Sequence, residues 1–204
     1  MKSAYNTLII EPLSGDLRND IVQFLRINGC PKTAEHSIRV GNEARKIAEQ
    51  FHVAISSAEI AGYLHDISAV FANDVRIQVS RALGIEVLPE EETFPMIIHQ
   101  KISREMARDL FQIHDQEILN AVGCHTTLRK NATTLDKVLF VADKIEWDQT
   151  GSPPYLEQIV QQLDQSLDHA AFKYIDYLWR QRENLRVVHP WLRDAYYDLI
   201  DAID

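Results

Sequence analysis

Cysteine is scarce in this chain: of 204 residues only Cys30 and Cys124 are cysteine, and neither stands in a Cys-x-x-Cys pair. No disulfide framework is expected, and reduced thiols in a reducing compartment are the simpler reading. Basic charge is also short, with 21 Lys and Arg against 30 Asp and Glu, a formal charge of −9 and a pI near 5.3. That balance argues against general nucleic-acid binding, which needs a broad basic surface to displace counterions. It leaves room for a small anionic ligand where basic residues are locally concentrated. No stretch approaches the roughly 20 apolar residues of a membrane span, and "MKSAYNTLIIEPLSGD" lacks an apolar core of signal-peptide length. The expectation is a cytoplasmic protein with no membrane partner. Internal repeats and low-complexity segments are absent too, and the 46% hydrophobic, 25% charged composition is that of an ordinary globular chain.

What is present is helical periodicity from about residue 16 onward, so the fold class reads as all-α. One domain is expected over residues 17–204, after an N-terminal segment 1–16 whose "NTLIIEP" is the one convincing alternating, strand-like stretch. The first helix is "GDLRNDIVQFLRI", stopped by "NGCPK"; the second runs from about Thr33 to His52. A third, "SSAEIAGYLHDIS", is expected to start on serine caps, with Glu59 three positions after Ser56 in capping-box spacing. Helices around "NDVRIQVSRAL", "MIIHQKISREMARDLFQI", "DQEILNAVGCHTT" and "TTLDKVLFVADKIEW" follow, with "EVLPEEETFP" and "DQTGSPPY" read as loops. A long tract from Leu156 to about Asn184 and a final helix after His189-Pro190 complete the chain.

Chemistry concentrates where apolar helical runs are interrupted. "AGYLHDISAV" keeps His65 and Asp66 side by side with no Lys or Arg between Lys46 and Arg76, so a buried Asp66 needs a distant partner or a cation. An exposed position at a helix end is the alternative. His36, His99, His125 and Asp143 occupy similar apolar settings on other helices. Singly, each reads as a hydrogen-bonded interior residue. Together with Asp66 they form a donor set that suits one or two divalent first-row metals, iron, manganese or cobalt rather than calcium, converging from separate helices of a bundle.

The order His36, His65-Asp66, Asp143 resembles the H…HD…D signature of the HD-domain metallophosphohydrolases, and His99, His125, "CHTT", "ADKIE" and "VHP" resemble its YqeK-type branch. The similarity covers roughly residues 17–200. It implies an all-α HD-domain bundle with a dinuclear metal site, most simply iron. One metal would be held by His36, His65, Asp66 and Asp143, and the other by Asp66, His99 and His125, with Asp66 as the bridge. It also implies a metal-dependent phosphohydrolase acting on a nucleotide or dinucleoside polyphosphate, as in symmetrical cleavage of diadenosine tetraphosphate to two ADP. By the same resemblance Asp66, Arg39 and Arg129 take catalytic roles. Arg39, Thr126, Thr127, Arg129 and Lys144 become candidate phosphate contacts, the threonines being equally suited to cap the next helix. Lys101 and Arg104 are lesser candidates.

The chain departs from the family pattern in four places. Ala69 stands where HDxxK has lysine, Gln100 where glycine commonly follows the third histidine, Leu128 where the "HTTGR" form has glycine, and "WDQTGSPPY" replaces a Pro-Gly-Arg-like continuation. One phosphate-neutralising charge is thus missing from its expected place. A non-catalytic metal- and nucleotide-binding regulatory domain is the alternative that this substitution raises. Trp147 either covers a nucleobase or packs. The stripe Phe172, Ile175, Leu178 and Trp179 reads as core or dimer packing, which makes a second copy of the chain a candidate partner.

Overall fold

The structure, a computed structural model, describes residues 2–147 and 151–203. Eleven α-helices form among them, and no strand. They are α1 Leu17–Ile27, α2 Pro31–Gln50, α3 Ile55–Leu64, α4 Arg76–Leu83, α5 Pro89–Thr93, α6 His99–Leu110, α7 Gln116–Cys124, α8 Thr134–Ile145, α9 Leu156–Leu163, α10 Leu167–Arg180 and α11 Pro190–Ile203. No helix is long and apolar enough to cross a membrane.

The starts follow local chemistry. Asp16 accepts from the Asn19 amide to cap α1, Pro31 occupies the first turn of α2, and Ser166 accepts from the His169 amide to start α10. Thr133 and Asp136 form a reciprocal capping box on α8, so the cap is Thr133 and neither Thr126 nor Thr127. The Ser166 cap also breaks the expected continuous 156–184 tract into α9 and α10.

Three other expectations are corrected. "NTLIIEP" is not a strand: its partner is the side-chain amide of Asn28, which accepts from Ile9 N and donates to Ile9 O, each at 2.9 Å. Alternation reported an extended segment, but among the described residues no second strand is present to pair with it. α3 starts at Ile55 behind Ala54 with no side-chain cap, because His52 in the left-handed region (φ 56°) reverses the chain early and places Ser56 and Ser57 inside the first turn. "EVLPEEETFP" contains the short helix α5, whose Glu91 carboxylate accepts from the Leu88 amide at 2.8 Å. Of "DQTGSPPY", Asp148, Gln149 and Thr150 lie outside the described residues.

The Phe172–Trp179 stripe packs within the chain: the Trp179 and Phe172 rings stack on Tyr196 of α11 at 4.5 and 5.7 Å. Helices α2 and α3 approach each other closely at two glycines. A Cβ at Gly62 would lie 2.5 Å from Gly41 Cα, and one at Gly41 would lie 2.3 Å from the Tyr63 ring. His36 lies five residues before Gly41 on α2, and His65 three after Gly62, directly after α3. Gly62→Ala is expected to cost about 3 kcal/mol, the upper range for overpacking against backbone, or roughly 6–12 °C of Tm. Thermal unfolding checks it; an unchanged Tm would show that the helices separate freely.

Outside the histidine cluster, Glu91 is fully buried and receives Lys101 Nζ at 2.9 Å and the Leu88 amide, with His189 Nε2 at 3.3 Å. Burial alone would raise its pKa, but His189, Leu88 and Lys101 outweigh it and hold the carboxyl below the usual range. A depressed folded pKa contributes stability that is present above the unfolded value of about 4.3 and lost as pH falls through the folded value. Glu91→Gln leaves Lys101 uncompensated and should cost about 3 kcal/mol at neutral pH. The gap in Tm between native chain and variant should narrow below about pH 4; a gap independent of pH would assign the loss to packing.

Candidate metal centre

Six side chains meet where helix ends converge. His36 comes from the second turn of α2, His65 directly follows α3, and Asp66 lies in the turn between α3 and a 3₁₀ segment Ile67–Val70. His99 opens α6, His125 directly follows α7, and Asp143 sits in the last turn of α8. The C-terminal ends of α3, α7 and α8 therefore face the same point, and their carbonyl dipoles favour positive charge there. Two serines hold the turn after Asp66: Ser68 Oγ donates to the His99 carbonyl at 2.9 Å, and Ser103 Oγ donates to Ser68 Oγ at 2.9 Å.

Distances divide the cluster in two. His36 Nε2 lies 3.3 Å from both Asp143 Oδ1 and His65 Nε2, and His65 Nε2 lies 3.5 Å from Asp143 Oδ1. On the other side, His99 Nε2 and His125 Nε2 are 2.9 Å apart and stand 3.1 and 3.5 Å from Asp66 Oδ1. Asp66 Oδ2 faces His65 Nε2 at 3.5 Å. One carboxylate thus presents an oxygen to each half. Donor atoms of His36, His65 and Asp143, and of His65, Asp66 and His125, lie within 4.8 Å of one another.

The donor chemistry fits metal. Nδ1 of His65, His99 and His125 each donates to the carbonyl three residues earlier, of Gly62, Met96 and Val122, at 2.8, 2.5 and 2.8 Å. Those bonds place the ring proton on Nδ1 and leave Nε2 as a lone pair. Two neutral imidazoles with lone pairs 2.9 Å apart repel unless a cation or proton sits between them. His36 is the exception, its buried Nδ1 having no hydrogen-bond partner among the described residues.

At His65 a proton competes with metal for the same Nε2. Burial would lower the His65 pKa, but Asp66 and Asp143 overturn it and push it up to about 9. Burial, reinforced by the charges of His99 and His65, pushes His125 down to about 4 despite Asp66. Burial would raise Asp66 and Asp143 as well, yet His65, His125 and His99 hold the first far below its ordinary value, and Lys144, His36 and His65 hold the second. Both carboxylates stay ionised, and the cluster attracts a cation.

A cavity of about 200 Å³ opens over the cluster, and Met96, Thr126, Lys144, Glu146, Trp147, Tyr155 and Tyr174 complete its walls. The expected phosphate contacts are not all brought there. Lys144 is: its buried ammonium pairs with Asp143 Oδ2 and lies 3.4 Å from the His125 carbonyl. Thr126 is, with Oγ1 3.2 Å from His99 Nε2. Arg39 stands at the rim, half exposed and paired with Glu146 at 3.1 Å. Arg129 is turned away and binds the buried Asp136 through Nε and Nη2 at 2.9 and 2.7 Å. Thr127 is buried and donates to the Leu128 carbonyl. Lys101 belongs to Glu91, and Arg104 packs beside Gly123 on another face.

Two structural supports were missed in the sequence. Gln100, in place of a glycine, accepts through Oε1 from the amides of Thr126 and Thr127 at 3.0 and 3.3 Å and so fixes the segment after His125. An amide inside the apolar "MIIHQKI" run was the available signal. Arg76, buried, donates to the Met96 carbonyl at 3.3 Å, the same oxygen that orients His99. Nothing in "NDVRIQV" marked it.

Residues 33–148 match the HD domain family. An uncharacterised protein of the pepC 5' region of Lactococcus lactis subsp. cremoris is 44% identical over 155 residues, 76% of this chain and 78% of that protein. The symmetrical bis(5'-nucleosyl)-tetraphosphatase of Staphylococcus aureus is 33% identical over 117 residues, 56% of this chain and 59% of that enzyme. A crystal structure of a Clostridium acetobutylicum protein, described as a predicted HD superfamily hydrolase involved in NAD metabolism, superposes with a TM-score of 0.83 at 25% identity, covering 90% of this chain and 97% of that one.

Proposed function

The chain belongs to the HD-domain family, and from that premise we propose that it is a metal-dependent phosphohydrolase that cleaves dinucleoside polyphosphates symmetrically, diadenosine tetraphosphate to two ADP. The carrying observation is Asp66, whose two oxygens face two separate imidazole sets beneath an open cavity. His36, His65, Asp66 and Asp143 would hold one divalent ion, and Asp66, His99 and His125 the other, with iron favoured and manganese or cobalt accommodated by the same donors. When bound, such ions polarise phosphoryl oxygens and lower the pKa of water.

The chain's own groups supply the rest. Lys144 places a buried positive charge beside the cluster, where negative charge on a phosphoryl group would build. Thr126 Oγ1 is positioned to donate to a phosphate oxygen once His99 Nε2 is engaged elsewhere. Arg39 at the rim can exchange Glu146 for an incoming phosphate. The hydrogen bonds from Nδ1 to backbone keep three imidazoles from turning. Nothing in the arrangement requires a nucleophilic serine or cysteine.

The test is a product analysis with manganese- or iron-loaded protein and diadenosine tetraphosphate. Two ADP are expected; AMP with ATP would contradict symmetrical cleavage. Ala69, in place of the family's lysine, is the observation that favours the other reading, a regulatory domain that binds nucleotide. Tight binding of metal and nucleotide with no turnover on any polyphosphate would establish that reading instead.

A further inference from the structure

Behind Tyr174, a second cavity of about 180 Å³ adjoins the metal-facing one and shares three of its walls, Met96, Thr126 and Tyr174. The two are similar in size and opposite in chemistry. Ile97, Leu178, Leu185, Val187 and Leu192 make the second one apolar, with Phe94 as an aromatic face. The Arg186 guanidinium lies 5.2 Å from the Phe94 ring centre and pairs with no carboxylate among the described residues. We infer that this cavity takes the nucleoside of the phosphate-bearing substrate, with the base against Phe94, Leu178 and Leu185 and the phosphates directed past Tyr174 and Thr126 to the metal centre. The inference rests on the proposed phosphohydrolase function and specifies where the nucleoside of that substrate binds.

Three observations support it. An apolar, aromatic-walled cavity adjoining a charged one, with Met96, Thr126 and Tyr174 in both walls, suits a base joined to a diphosphate. Arg186, exposed at the mouth, supplies a cation that can stack on a base. All six proposed metal-binding residues fall within the family-matched span 33–148, whereas Leu178, Leu185, Arg186, Val187 and Leu192 lie beyond it. Much of the wall that would choose the nucleoside thus lies beyond the matched span, while Phe94, Met96, Ile97 and Thr126 lie within it.

Calorimetry on the full chain loaded with manganese would test this, using ADP and methylenediphosphonate, whose P–C–P bridge resists hydrolysis and which has no base. The native chain should bind ADP at least about tenfold more tightly than methylenediphosphonate. Val187→Trp, which fills the cavity, should weaken ADP by about tenfold or more and leave methylenediphosphonate within about twofold. Arg186→Ala, an exposed change with little effect on folding, should weaken ADP alone by about threefold. Equal binding of the two ligands by the native chain, or variants that shift both ligands alike or neither, would overturn the nucleoside site while leaving phosphate binding at the metal centre intact. A metal-loaded chain that binds neither ligand would overturn the function along with it.

Discussion

Asp66→Ala is expected to leave a folded protein that retains neither metal ion and has lost more than about 10³-fold in phosphohydrolase turnover, beyond the cost of one preorganised hydrogen-bond donor. The reason is its position between the halves. Oδ1 stands near His99 and His125, Oδ2 near His65, and among the described residues no other carboxylate pairs with both sets. His99→Ala removes one imidazole from one half and should halve the metal content instead. Elemental analysis after reconstitution reads the difference. A second readout is independent of catalysis: metal that binds only the native fold raises Tm by linkage, so adding manganese should raise the Tm of the native chain and not that of Asp66→Ala. If Asp66→Ala keeps a full complement, the carboxylate does not bridge.

How much of this centre the sequence disclosed depends on the scale of the interaction. The helices that deliver His36, His65, His99, His125 and Asp143 were readable because apolar periodicity and caps are local, and the resemblance named the six residues in order. Their convergence is a matter of long-range packing, here the approach of Gly41 to Gly62 and the ends of α3, α7 and α8. Arg129 shows the opposite case. Its place after "HTT" suggested a phosphate contact, but Asp136, seven residues on, is buried and takes the guanidinium through two bonds. Competition between a distant ligand and a nearby carboxylate has no one-dimensional signature. "NTLIIEP" failed for a related reason: alternation describes one segment, and a strand needs two. Gln100 and Arg76 act through backbone carbonyls and amides, which residue type does not reveal.

Lys144 carries the second large expectation, because it supplies positive charge in a chain whose HDxxK position is Ala69. Its ammonium is buried, paired with Asp143 and lies 5.3 and 5.4 Å from the Phe140 and Tyr174 ring centres. Burial would lower its pKa, but Asp143, Tyr174 and Asp66 outweigh burial and raise it, so the group is charged at neutral pH. Ala69 sits in the 3₁₀ segment after Asp66, its amide donating to the Asp66 carbonyl at 3.0 Å, whereas Lys144 directly follows Asp143 on α8. Lys144→Met should therefore lower kcat by about 10²-fold, equivalent to about 2.7 kcal/mol of barrier, with metal content unchanged. A change in KM alone would mean that Lys144 binds substrate and transition state equally. Loss of metal together with turnover would mean that its charge serves Asp143 and not phosphate. Adding Ala69→Lys to Lys144→Met should recover part of kcat, and only part, since an introduced side chain rarely reaches the productive geometry. Native turnover of about 1 per second or faster, reduced in Lys144→Met and unaffected in Arg129→Ala, would identify Lys144 as the residue that replaces the absent lysine.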